Sequence, residues 1–160
     1  MADQLEIISG GQTGVDRGAL DAALELGTAC GGWCPEGRQA EDGAIPDCYP
    51  VEVRAGAGYP ERTRRNVQGS DGTLILHFGP LSAGTLFTLK ACEDLLKPVC
   101  LIDGGDARIA DAVGRAQEFV DAPDLRRLNV AGPRASHWAN AHDYSRDVIR
   151  GLLLALPTSH

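Results

Sequence analysis

Apolar and polar positions follow two alternating rhythms along this chain. Residues 5–9, LEIIS, form a continuous apolar run with β-branched residues, the pattern of a buried strand. The next segment, GVDRGALDAALELG, puts Val15, Ala19, Ala22, Ala23 and Leu26 on one helical stripe, with Gly27 placed to end it. Its alanines and Gly18 predict a helix lying close to a sheet. Two short strands are predicted near 29–32 and 51–53, separated by a long excursion rich in glycine, proline and charge. Loops of that length in a compact domain are functional or disordered more often than not. Beyond it come a short helix in YPERTRRNVQ ended by Gly69, a strand over 72–78, and a helix in SAGTLFTLKACEDLLK stopped by Pro98. A strand in PVCLID, a helix in DARIADAVGRAQEFVDA, a strand in RLNVAG and a final helix after Ser136 complete the series.

Strand–helix alternation of this kind predicts one α/β domain spanning 1–160, with a mostly parallel sheet covered by helices on both faces. In such folds ligands bind outside the carboxyl ends of the strands, so the residues after each strand matter most.

Three of those turns carry candidate chemistry. Gly10, Gly11, Gln12, Thr13 and Gly14 follow the first strand. Glycines there admit positive φ and close approach to the backbone, and a helix N-terminus offers free amides to an anion. The alternative is internal: Thr13 and Asp16 fit the capping-box spacing, which would occupy the same amides. The loop is neither a Walker A loop nor G-x-G-x-x-G. After the 72–78 strand, GPLSAGT supplies Ser82, Gly84 and Thr85, read either as a ligand turn or as a helix N-cap at Ser82. After RLNVAG come Arg134 and Ser136. Three small-residue turns at one sheet edge predict a cleft for a small phosphorylated ligand. Gly14→Val is expected to fill the space a phosphate needs.

Two further pairs join the candidates. In CPEGRQAEDG, Arg38 and Asp42 are expected to face the cleft, with Glu41 and Asp42 as possible acid–base groups. Arg62 and Asn66 stand one helical turn apart and could meet a phosphate together.

Composition narrows the partners. The net charge of −7 opposes nucleic acid and anionic membrane surfaces, and neither is expected as a partner. Arginine nevertheless sits beside or near glycine at Arg17, Arg38 and Arg134, where it suits bidentate binding of phosphate or carboxylate. Five cysteines show no framework spacing and are read as reduced, placing the protein in the cytoplasm. Neither a signal peptide nor a membrane span is apparent in the sequence. Cys34 reads as a packed thiol, and no metal site is expected: Cys30 and Cys34 lack zinc spacing, and His137 and His142 fall on different helix faces.

Five blocks in register, ISGGQTGVDRGALDAAL, GGWCPEGRQAEDGAIPDCYPV, ERTRRNVQGSDGTLIL, GPLSAGT and LNVAGPRAS, resemble the putative molybdenum carrier family. That family is a circularly permuted branch of the Rossmann-like superfamily that includes the LOG, or lysine-decarboxylase-like, phosphoribohydrolases. The resemblance implies a Rossmann-like three-layer sandwich, a homo-oligomer (dimer or tetramer), and a carried ligand such as molybdenum cofactor or a nucleotide. One position departs from the hydrolase relatives. Their P-G-G-x-G-T-x-x-E loop ends in a glutamate, whereas Thr88 stands at that place here. The expectation is therefore a binding or carrier protein. The alternatives are a nucleotide hydrolase using Glu41 or Asp42, and an oligomer-forming protein without a ligand.

Overall fold

The computed structural model describes residues 5–53, 58–122 and 125–157. In chain order the elements are β1 (Glu6–Ile8), α1 (Val15–Glu25), β2 (Cys30–Gly31), β3 (Trp33–Cys34), β4 (Gln39–Ala40), β5 (Gly43–Ala44) and β6 (Glu52–Val53). They continue with α2 (Tyr59–Gln68), β7 (Gly72–His77), α3 (Ala83–Asp94), β8 (Val99–Asp103), α4 (Ile109–Asp121), β9 (Arg127–Ala131) and α5 (Ala141–Ala155). Five strands form the central sheet in the order β2-β1-β9-β7-β8. Every pairing in it is parallel. The carboxyl ends of β1, β9 and β7 therefore lie side by side.

Alternation along the strands divides the sheet into two unlike faces. Ile7, Leu74, Leu76, Leu128 and Val130 join the main core with side chains of α1, α4 and α5. Between them, Thr73 and Asn129 point the other way, and Asn129 Nδ2 donates to Thr73 Oγ1 at 3.2 Å. On that second face α2 and α3 supply a small apolar cluster of Val67, Ala91 and Cys92. The two layers of helices and the sheet make the three-layer Rossmann-like sandwich. Most of the apolar burial lies on one side, leaving the other free to hold a polar hollow.

Gly18 does lie at a close approach, but to a different neighbour from the one expected. A Cβ there would strike His142 O and Ser145 Cβ of α5, so the small residue admits a helix rather than the sheet. Ser145 Oγ then donates to Val15 O at 2.7 Å, binding the two helices together.

The excursion after β2 is more structured than its composition suggests. Gly32, at φ 142°, turns the chain away from the main sheet. β3 pairs in parallel with β6, and β4 pairs antiparallel with β5. Among the described residues no helix is long and apolar enough to cross a membrane.

Candidate functional site

A cavity of about 450 Å³ opens at the carboxyl ends of β1, β9 and β7, between the sheet and helices α2 and α3. All three turns singled out in the sequence reach it. Gly10 and Gln12 come from the first, Ser82, Gly84 and Thr85 from the second, and Arg134 from the third. The size falls in the ordinary range for small-molecule pockets.

The first turn does not present an open row of amides. Gln12 N donates to Asp16 Oδ2 at 3.2 Å, Thr13 N to Gln12 Oε1 at 3.0 Å, and Val15 N to Pro133 O at 3.1 Å. Of the amides of Gly11, Thr13 and Gly14 that were candidates for an anion cradle, that of Thr13 is therefore already taken up inside the protein. Nor does the capping box form, because the N-cap is Gly14 and it makes no side-chain cap. Gly14 is required for a different reason. Its φ is 82°, and a Cβ would meet Pro133 O at 2.5 Å and Ala135 N at 2.8 Å. Valine there would collide with the protein's own β9–α5 turn rather than fill a phosphate's place.

What the first turn does provide is room for a cation. A Cβ on Gly10 would fall within the Arg62 guanidinium. Arg62 Nη1 lies 3.6 Å from Asp16 Oδ2, and its Nε is buried without a hydrogen-bond partner. Burial pushes the Asp16 carboxyl up from its ordinary value, opposed by the Arg62 charge and by the Gln12 amide. Tyr59 holds the arrangement together. Its hydroxyl accepts from Gln12 Nε2 at 3.2 Å. Its ring lies beneath both Arg62, at 5.4 Å, and Arg134, at 6.0 Å. Cation–π attraction of this kind contributes about 0.5–2 kcal/mol per pair, depending on exposure.

The second turn ends in the N-terminus of α3. Ser82 is its N-cap, and Ser82 Oγ accepts from Thr85 N at 3.4 Å while standing 3.0 Å from Thr85 Oγ1. Ahead of Thr85, the amides of Ala83 and Gly84 belong to the first turn, which a helix leaves without intrahelical partners. Gly84 is exposed, and a Cβ there would meet nothing within 4 Å. Thr88, at the position where hydrolase relatives carry glutamate, also lines the cavity, and its hydroxyl donates to Gly84 O at 3.1 Å. It shapes the helix start and brings no acid.

Other expected residues lie elsewhere. Arg38 does not face the cavity: its guanidinium donates to the carbonyls of Ile45, Pro46, Tyr49 and Val51 at 2.8–3.2 Å and clamps its own loop. Asp42 is held by Arg17 through two bonds of 2.6 and 2.8 Å, and this pairing keeps its carboxyl below the usual range. Glu41 accepts from Thr13 Oγ1 and from Ser136 N, and hydrogen bonds from Ser136 and Thr13 hold its carboxyl low. Ser136 is thus engaged by Glu41 rather than by the cavity. Both loop carboxylates are held by partners within the protein and lie outside the lining, which does not favour the hydrolase assigned to them. Asn66 borders the cavity, but its amide bonds Trp33 N at 2.8 Å and Trp33 O at 3.0 Å. It pins β3 to α2 and does not pair with Arg62 toward a phosphate. Cys34 is fully buried, and burial raises its thiol pKa. Among the described residues no group of three or more His, Cys, Asp or Glu could hold a metal ion.

Sequence reasoning missed Tyr59, Asn129 and Phe87, all of which line the cavity. Asn129 left the clearest trace, as a polar residue inside the apolar strand RLNVA. Its side chain is 3% exposed on the cavity face.

A parallel sheet between helical layers, with a cavity bordered by Arg62 and Arg134 at its carboxyl edge, defines the class: an α/β protein of the Rossmann-like kind. The chain belongs to the circularly permutated YpsA SLOG family, whose model matches residues 7–153. It is also similar to a crystal structure, at 1.45 Å resolution, described as a putative molybdenum carrier protein from Syntrophus aciditrophicus SB. The two share 38% identity over 95% of this chain and 96% of the other, with a TM-score of 0.91. No curated protein matches the chain.

Proposed function

We propose that this protein binds, and serves as a carrier for, a small phosphorylated ligand of nucleotide or molybdopterin type. The carrying observation is the convergence of Arg62, Arg134 and the open N-terminus of α3 on one cavity at the sheet's carboxyl edge. Arginine and a helix N-terminus both favour phosphate, and here they border the same volume. The description of the solved relative supports the molybdopterin side of the reading. Among the described residues lining the cavity Asp16 is the only carboxylate, and it is buried and accepts from the Gln12 amide. That favours holding a ligand over cleaving one.

The same proposal places the protein in the cytoplasm as a homo-oligomer. All five cysteines are free thiols, which fits a reducing compartment. Leu86, Leu96 and Leu154 are 50%, 90% and 63% exposed, apolar surface that a second copy could cover.

Mass spectrometry of small molecules released from the purified native protein tests the ligand class directly. Calorimetry of Arg134→Ala tests the site. Losing one charge-assisted phosphate contact should weaken binding by about tenfold or more. The fold should be kept, since the guanidinium packs on the Tyr59 ring at the cavity edge. Unchanged affinity in that variant overturns the site.

A further inference from the structure

Helix α3 buries one stripe, Thr85, Thr88, Ala91 and Cys92, whose N-terminal half is polar. It buries Thr85 and Thr88, 4% and 6% exposed, while Leu86 and Phe87 stand 50% and 37% exposed. The two threonines are committed to the helix start, through the Ser82 and Gly84 bonds described above. Their orientation leaves Phe87 at the mouth of the cavity, where it forms part of the lining. Covering the exposed part of this ring with a planar group would be favourable.

Tyr59, the cavity's other aromatic ring, already has the Arg62 and Arg134 guanidiniums stacked over it. Phe87 is the aromatic surface left for a ligand. It lies three residues after Gly84, so the two are neighbours on one helix face, about 5 Å apart along the axis. A phosphate on the Gly84 amide would be separated from a ring on Phe87 by roughly the span of a pentose or a short side chain.

We infer that Phe87 is a stacking platform for a flat heteroaromatic ring carried by the ligand, and that it sets preference for ring-bearing phosphates over ringless ones. The inference rests on the phosphate-binding reading above and adds the second recognition point to it. A nucleobase and a pterin offer the same planar π surface, and the test below distinguishes them.

Calorimetric titration of AMP, neopterin phosphate and ribose 5-phosphate into wild type, Phe87→Ala and Phe87→Leu tests it. Wild type should bind at least one ring-bearing phosphate about tenfold or more tighter than ribose 5-phosphate. Phe87→Ala should abolish that advantage while leaving ribose 5-phosphate within about twofold. Phe87→Leu keeps apolar bulk but lacks the π face, and should recover only a minor part. Whichever ring compound loses more identifies the source of the ring. Equal wild-type affinity for ringed and ringless phosphates, or an advantage that survives Phe87→Ala, overturns the platform and leaves the phosphate site standing. Failure of all three compounds to bind wild type overturns both.

Discussion

Asp16 sits beneath the first turn with its carboxylate withdrawn from water, and Arg62 Nη1, 3.6 Å away, is too distant for a hydrogen bond. Desolvation therefore dominates, and the folded state favours the protonated acid more than the unfolded chain does. A carboxyl with a raised folded pKa contributes stability that is complete below its unfolded value and lost as pH rises through the folded value. Asp16→Asn removes that loss while keeping an oxygen for the Gln12 amide. Its Tm should exceed that of wild type at neutral pH, with the gain shrinking to nothing in acid below the usual carboxylate range. A thermal melt series across pH checks this, and a deficit at neutral pH would mean that the attraction to Arg62 outweighs burial. The same residue explains why the first turn misleads a sequence reader. The capping-box spacing of TGVD signals that Asp16 could take up an amide, but not that the amide is Gln12 N, nor that the Gln12 side-chain carbonyl will accept from Thr13 N and Glu41 N.

Helices α1 and α5 meet across Gly18, and a histidine fastens the contact. His142 Nε2 lies 2.6 Å from Asp21 Oδ2, and Nδ1 lies 3.1 Å from Asp143 Oδ1. Burial alone would lower the imidazole pKa, but the hydrogen bonds to Asp21 and Asp143 outweigh it and the net shift is upward. The stabilisation is then fully present below the ordinary histidine value and fades as pH rises through the raised one. His142→Gln should cost under about 1 kcal/mol in mildly acidic solution, given partial exposure and solvent screening. At alkaline pH it should cost little or nothing, and denaturant melts at two pH values decide the point. At this scale the sequence was readable wherever periodicity ran long enough. All five helices stand where apolar spacing and glycine or proline punctuation put them. β6 falls where a short strand was expected near 51–53, but the two-residue strands β3, β4 and β5 have no period to detect, and bonds such as Asn66 to Trp33 and Arg38 to Val51 tie this region to backbone far away in sequence.

Across the whole molecule, the main core and the cavity lie on opposite faces of one sheet. Leu76 belongs to the core beneath α1, α4 and α5, whereas Thr88 borders the cavity opposite. Leu76→Ala should therefore destabilise by about 2–5 kcal/mol. Thr88→Ser, which keeps the hydroxyl for Gly84 O, should cost under about 1 kcal/mol and act mainly on ligand affinity. Urea titrations of the two variants, paired with calorimetry, separate the roles. Comparable losses of stability would contradict the division. The α/β class and the presence of a cavity at the carboxyl edge were legible, because strand ends in a parallel sheet are forced to one side. Which loop residues face inward was not, since Arg38, Asp42 and Ser136 each found a closer partner within the protein.

β9 enters near the end of the chain yet lies at the middle of the sheet, between β1 and β7. Ser9 Oγ, at the end of β1, finds its acceptor on Val130, 121 residues later. During synthesis the earlier strands must therefore wait with a gap between them until the last one emerges. Asn129 at the cavity floor and Arg134 at its rim arrive with that same strand. A nascent chain consequently lacks the floor and rim of the cavity until translation has passed β9 and the turn that follows it.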